Sequence, residues 1–118
     1  MKTQNVIINE MAQFKGTVNY WEHKFFKLSL RLTDGADYIR KNCGAYWLFD
    51  LIVQQAYQTD KSYVVKLQNT KESVYKFNVH DWQTDEIIYQ QEILFSDFPL
   101  KEIKLYVLNG IFLLPSEY

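Results

Sequence analysis

Asn109 and Gly110 stand between two apolar runs, "EIKLYVL" and "IFLL". Both central residues of a type I′ turn need positive φ, and Asn-Gly is the dipeptide best suited to that, so the two runs are expected to fold back on each other as a β-hairpin. A competing reading makes 99–108 a helix capped by Gly110, because Leu100, Ile103 and Val107 also fit a helical stripe. In the hairpin reading, residues 111–114 return as a strand whose unbroken apolar run implies burial on both faces. Pro115 then ends the pairing, since it has no N–H to donate.

Upstream, "FFKLSLRLT" alternates cleanly, with Phe26, Leu28, Leu30 and Leu32 on one side and Lys27, Ser29 and Arg31 on the other, the pattern of a half-buried strand. Ile7, Met11 and Phe14 recur at helical spacing and suggest a short leading helix over 5–14. "TDG" at 33–35 breaks the first strand, after which a short helix over 36–42, a break near Gly44 and a longer helix over 45–58 are expected. Strand-like segments at 62–68, 73–80 and 86–94 follow, separated by short polar connections that favour antiparallel hairpins. The expected architecture is α+β: one domain spanning 1–118, with a single, mostly antiparallel sheet of about five to six strands. The long helix (about 45–58) and the shorter helices would pack on one face.

Composition narrows the function classes. With 47% hydrophobic and 23% charged residues, 118 residues can fill one core without metal or disulfide staples. The single cysteine, Cys43, and the lack of a basic-then-apolar leader point to a reducing cytoplasm. No apolar run approaches the roughly eighteen residues of a membrane span, so no membrane partner is expected. A net charge of −1 makes DNA an unexpected partner, because phosphate neutralisation usually shows as a basic excess. His23, His80 and Cys43 lie far apart without paired metal-ligand spacing, none of the four glycines lies in a phosphate-cradling loop, and no GxSxG elbow occurs. No cofactor, metal or catalytic residue is therefore expected. A constellation of Cys43 with a His and an Asp is the remaining route to an enzyme, but Cys43 at the helix break reads first as a small half-buried corner residue.

Candidate contact residues fall in three groups. On the 45–58 helix, Tyr46, Leu48, Phe49, Ile52, Val53, Ala56 and Tyr57 make a wide inward arc, while Asp50, Gln54, Gln55 and Gln58 face away. Trp47 and Leu51 lie beside Gln54 on the polar side, one turn apart. They either pack under the N-terminal segment or form a small exposed hot spot. Lys27, Arg31, Lys66, Lys76 and Lys104, with Tyr106, would share the polar face of the sheet and make a mildly basic surface able to stack and neutralise single-stranded RNA. The bland reading is a solvated face that discourages edge aggregation. His80 and Trp82 flank Asp81 in "HDW", either a strand end whose indole covers the core edge or a small binding site.

The blocks "AQFKGT" (12–17), "TDGADYI" (33–39), "GAYWLFDLI" (44–52) and "QEILFSDFPLKEIKLYVLNGIFLLPSEY" (91–118) resemble a family of small proteins of unknown function found in phages, plasmids and bacterial genomes. The resemblance implies an intracellular bacterial or phage protein of α+β outline and carries over no catalytic residue. The expected function is a non-enzymatic interaction protein of a mobile element that occupies a host or phage macromolecule. Its sharpest form is an inhibitor of bacterial antiviral defence of the anti-CRISPR kind, bound to an RNA-guided nuclease or its guide RNA. An RNA-binding module using the basic sheet face and a small enzyme are the alternatives.

Overall fold

The computed structural model describes residues 2–56, 61–94 and 96–118. In chain order the elements are α1 (Gln4–Met11), β1 (Trp21–Phe25), β2 (Leu28–Leu32), α2 (Asp34–Asn42), α3 (Tyr46–Ala56), β3 (Tyr63–Lys71), β4 (Val74–Asp81), β5 (Ile87–Ile93), β6 (Glu102–Leu108), β7 (Ile111–Leu113) and a closing 3-10 turn, η1 (Pro115–Glu117). The strands form one sheet in the order β1-β2-β7-β6-β3-β4-β5. Every pairing is antiparallel except β2 with β7.

The expected α+β sheet is present with seven strands rather than five or six. The additional strand is β1. "FFKLSLRLT" is not one continuous strand but the end of one and the whole of the next, joined by the two-residue turn Phe26 and Lys27, with Phe25 opposite Leu28. Phe26 therefore does not share a face with Leu28, Leu30 and Leu32. The alternation misleads because a two-residue turn adds an even number of residues and leaves the period-2 pattern unbroken.

Around Asn109 and Gly110, the hairpin and not the helix forms: φ is 49° and 82° at the two residues, Leu108 lies opposite Ile111, and β6 runs as a strand from Glu102. The long helix expected over 45–58 is an ordinary one of 11 residues, Tyr46–Ala56. Its expected last turn at 57–58, and with it Tyr57 and Gln58, lies outside the described residues. The break before it falls where expected, at Gly44, whose φ of 58° ends α2 in the left-handed region.

Leu30, Leu32, Leu67, Phe77, Leu105 and Phe112 project from the sheet into one core, which α2 covers with Ala36 and Ile39 and α3 with Leu48, Phe49, Ile52 and Val53. Phe49 meets Phe112 edge to face at 4.9 Å, locking α3 to β7, a short interior strand. α1 buries only Ile7 and lies against α2 at the start of β6, where Gln4 Oε1 accepts from the Lys101 N–H at 2.9 Å.

Candidate functional site

β1 forms one edge of the sheet, and the hairpin that joins it to β2 carries a cluster of exposed apolar side chains. Phe26 is 90% exposed at its tip and adopts φ 54°. A bulky residue in the left-handed region costs on the order of 1–3 kcal/mol, and a hairpin turn of this kind favours Gly at that position. The Phe26 ring meets its neighbour Phe25 edge-on at 4.7 Å and otherwise lies almost wholly in solvent, so the fold gains little from it. Leu28 (43% exposed), Trp21 (40%) and Tyr46 (49%, at the start of α3) continue the apolar surface back from the tip.

A polar junction underneath fixes where the hairpin points. Arg40 on α2 donates from Nη2 to Asp37 Oδ1 at 2.7 Å, and from Nη1 to the Glu22 carbonyl at 3.0 Å and to His23 Nδ1 at 3.1 Å. A guanidinium can only donate, so His23 Nδ1 is the acceptor and its proton sits on Nε2, which donates to Asp50 Oδ1 at 2.7 Å. His23, Asp37 and Arg40 are all buried. A His-Asp pair is half of a general-base arrangement, but here the second ring nitrogen is occupied by Arg40, so His23 has no free nitrogen to accept a proton from a substrate. The junction ties β1 to α2 and α3. Asp34, at the first turn of α2, reinforces it by accepting from the Val18 N–H at 2.9 Å and from Trp21 Nε1 at 3.0 Å, bonds that hold its carboxyl below the usual range.

The opposite face of the sheet is open and carries part of the expected basic surface. Lys66 faces Lys104 across β3 and β6, and Lys76 lies one rung away beside Gln68, opposite Glu92 on β5. Arg31 is on the same face but three strands from Lys66, and Lys27 sits in the hairpin turn outside any strand. Glu92 and Glu102 interrupt the positive charge, so the five basic residues do not make one continuous stripe.

His80 is buried at the end of β4, where its Nδ1 lies 3.1 Å from the Asp85 carbonyl and 3.3 Å from Asp85 Oδ1. Trp82 packs edge-on with Tyr106 at 4.8 Å and Tyr118 at 5.4 Å, so its indole covers the sheet end. Trp47 and Leu51 are half-buried against the core, Trp47 meeting Phe98 edge-on at 6.4 Å, and Gln54 beside them is exposed. Burial pushes the Cys43 thiol up to about 12, which leaves it neutral and unreactive at physiological pH. Sequence reasoning missed the hairpin tip and the Arg40 junction. The one local signal was the i, i+3 spacing of Asp37 and Arg40.

Among the described residues no helix is long and apolar enough to cross a membrane, and no group of three or more His, Cys, Asp and Glu side chains is gathered to hold a metal ion. Fold and surface together define an α+β protein built on a seven-stranded mixed sheet with a bare aromatic edge hairpin. The chain belongs to the family described as a family of unknown function, DUF6876, which matches residues 5–118. No curated protein and no solved structure matches it.

Proposed function

We propose that the protein is a non-enzymatic interaction protein that occupies a partner macromolecule through the β1–β2 hairpin. The observation that carries this reading is Phe26, a large aromatic side chain almost wholly in solvent, on a backbone conformation that disfavours it, at the tip of an edge hairpin. Aromatic anchors of this kind concentrate binding energy when a partner pocket desolvates them, and the buried Arg40 junction preorganises the hairpin, which lowers the entropic cost of docking. In its narrower form the partner is an RNA-guided nuclease of bacterial antiviral defence, a form supported by the resemblance to phage and plasmid proteins.

Phe26→Gly separates a contact role from a folding role. Glycine relieves the left-handed strain and loses the Phe25 ring contact, so stability is expected to change by no more than about 1 kcal/mol. Affinity capture from bacterial lysate with mass spectrometry should recover a stoichiometric protein partner that survives RNase with the wild-type chain and is lost with Phe26→Gly. Recovery of the same partner by both proteins, or of none by either, overturns the proposal.

A further inference from the structure

β7 is three residues long, and its pairing with β6 reaches only from Leu108 back to Tyr106. The first part of β6 therefore has no strand beside it on that side. The two-residue turn makes Leu108 and Ile111 the closing pair that exchanges both backbone bonds, so residues 108, 106, 104 and 102 direct their N–H and C=O groups toward β7. The odd-numbered residues face β3, consistent with the Asn69 N–H bonding the Lys101 carbonyl at 2.6 Å. Glu102 and Lys104 thus present a strand edge to a cavity of about 410 Å³, walled by the apolar Met11, Ile103 and Pro115.

Lys66 and Lys104 line the same cavity directly opposite one another. Like charges in directly opposed positions destabilise a sheet, and a Lys-Glu pair there would stabilise it. Neither ammonium has a carboxylate partner among the described residues. Next along the row, opposite Lys66 on β4, Asn78 is only 7% exposed and its Oδ1 has no hydrogen-bond partner. The row Lys104, Lys66, Asn78 breaks the rules of sheet stability at two adjacent places beside an open strand edge.

We infer that this gap takes an extended acidic peptide segment of a partner protein. The segment adds as a short strand along Glu102 and Lys104, bonds the N–H and C=O groups they turn toward the cavity, and sets a carboxylate beside the Lys104 ammonium, where the long Lys66 side chain reaches across to it. Alternating donors and acceptors along a strand edge match a peptide backbone, and the Met11, Ile103 and Pro115 walls match its inward side chains. A nucleic-acid backbone has no alternating N–H and C=O groups to pair with the Glu102 and Lys104 edge, which favours peptide over RNA. The site lies apart from the β1–β2 hairpin and stands or falls independently of it.

The probe is an acetylated, amidated pentapeptide of alternating valine and glutamate, titrated into ¹⁵N-labelled protein. Saturable shifts centred on the Glu102 and Lys104 amides, with slowed exchange of the Lys104 N–H, are the expected result. The glutamine analogue should bind at least tenfold more weakly. Lys66→Glu is the decisive variant: it creates a cross-strand pair with Lys104, so Tm should rise by about 2–4 °C while peptide affinity falls at least tenfold. Lys104→Gln should weaken the peptide as well. Equal binding of the glutamine analogue, the same shifts from a uridine oligonucleotide, or Lys66→Glu retaining full peptide affinity would each overturn the inference.

Discussion

Arg40→Ala is expected to lower the free energy of unfolding by about 3 kcal/mol, measured by urea denaturation at neutral pH. Removing one member of a buried ion pair strands its partners, a loss of roughly 3–5 kcal/mol in comparable sites. Here the stranded groups are His23 Nδ1, the Glu22 carbonyl and Asp37 Oδ1, while Lys41 Nζ still holds the other Asp37 oxygen, Oδ2, at 3.1 Å, which sets the loss at the lower end of that range. The Arg40 guanidinium also lies 5.0 Å from the centre of the Tyr46 ring, a contact that disappears with it. The damage should be local in character: amide exchange in β1 should accelerate ahead of exchange in β3 and β4, because the junction is what fastens the edge strand to α2 and α3. An Arg40→Ala protein that loses less than about 1 kcal/mol, or loosens all strands equally, shows that the junction does not hold β1. Partner capture through the hairpin should weaken in parallel, since Phe26 is presented on a strand no longer fixed.

The local elements were legible because each rests on contiguous residues. The Asn109 and Gly110 turn, the strands near 62–68, 73–80 and 86–94, and the helix break at Gly44 all follow from chemistry within a few positions. The turn at Phe26 and Lys27 lacked any Gly, Asn or Pro signal, and the alternation continued through it, so β1 merged with β2. The position of β7 between β2 and β6 had no local signature at all. It depends on Arg31 and Leu32 finding Ile111 and Phe112 from the far end of the chain in the one parallel pairing of the sheet. The same limit applies to the sites. Lys66 and Lys104 could be placed on one face by parity, but that they oppose each other, and that the sheet opens beside them, required the register. His23 and Asp50 are 27 positions apart, and nothing short of the fold brings them together.

The end of the chain carries the second large effect, and Glu117 rather than Tyr118 carries it. Tyr118 is 75% exposed and rests its ring on Trp82 and Tyr106, so removing it alone should change stability by less than about 1 kcal/mol. Glu117 instead returns to the start of α2. Its Oε1 accepts from Thr33 Oγ1 at 2.6 Å and from the Leu114 N–H at 2.9 Å, and its Oε2 accepts from the Gly35 N–H at 3.0 Å. These are charge-assisted bonds at a helix N-terminus, where the exposed N–H groups and the dipole both favour an anion. Glu117→Ala should therefore cost about 2–4 kcal/mol, as should a chain ending at Ser116. Gly35 is the counterpart of this contact: a Cβ there would lie 2.5 Å from Glu117 Oε1 and 2.7 Å from Leu114 Cδ1. Gly35→Ala must expel the carboxylate, so it should destabilise by a similar amount, although alanine favours the helix intrinsically by up to about 1 kcal/mol. Because both substitutions break one contact, the double variant should lose much less than the two single losses added, a coupling of at least about 1 kcal/mol in a double-mutant cycle. Strictly additive losses would mean that the two residues stabilise the protein separately and that the carboxylate does not join the last turn to α2.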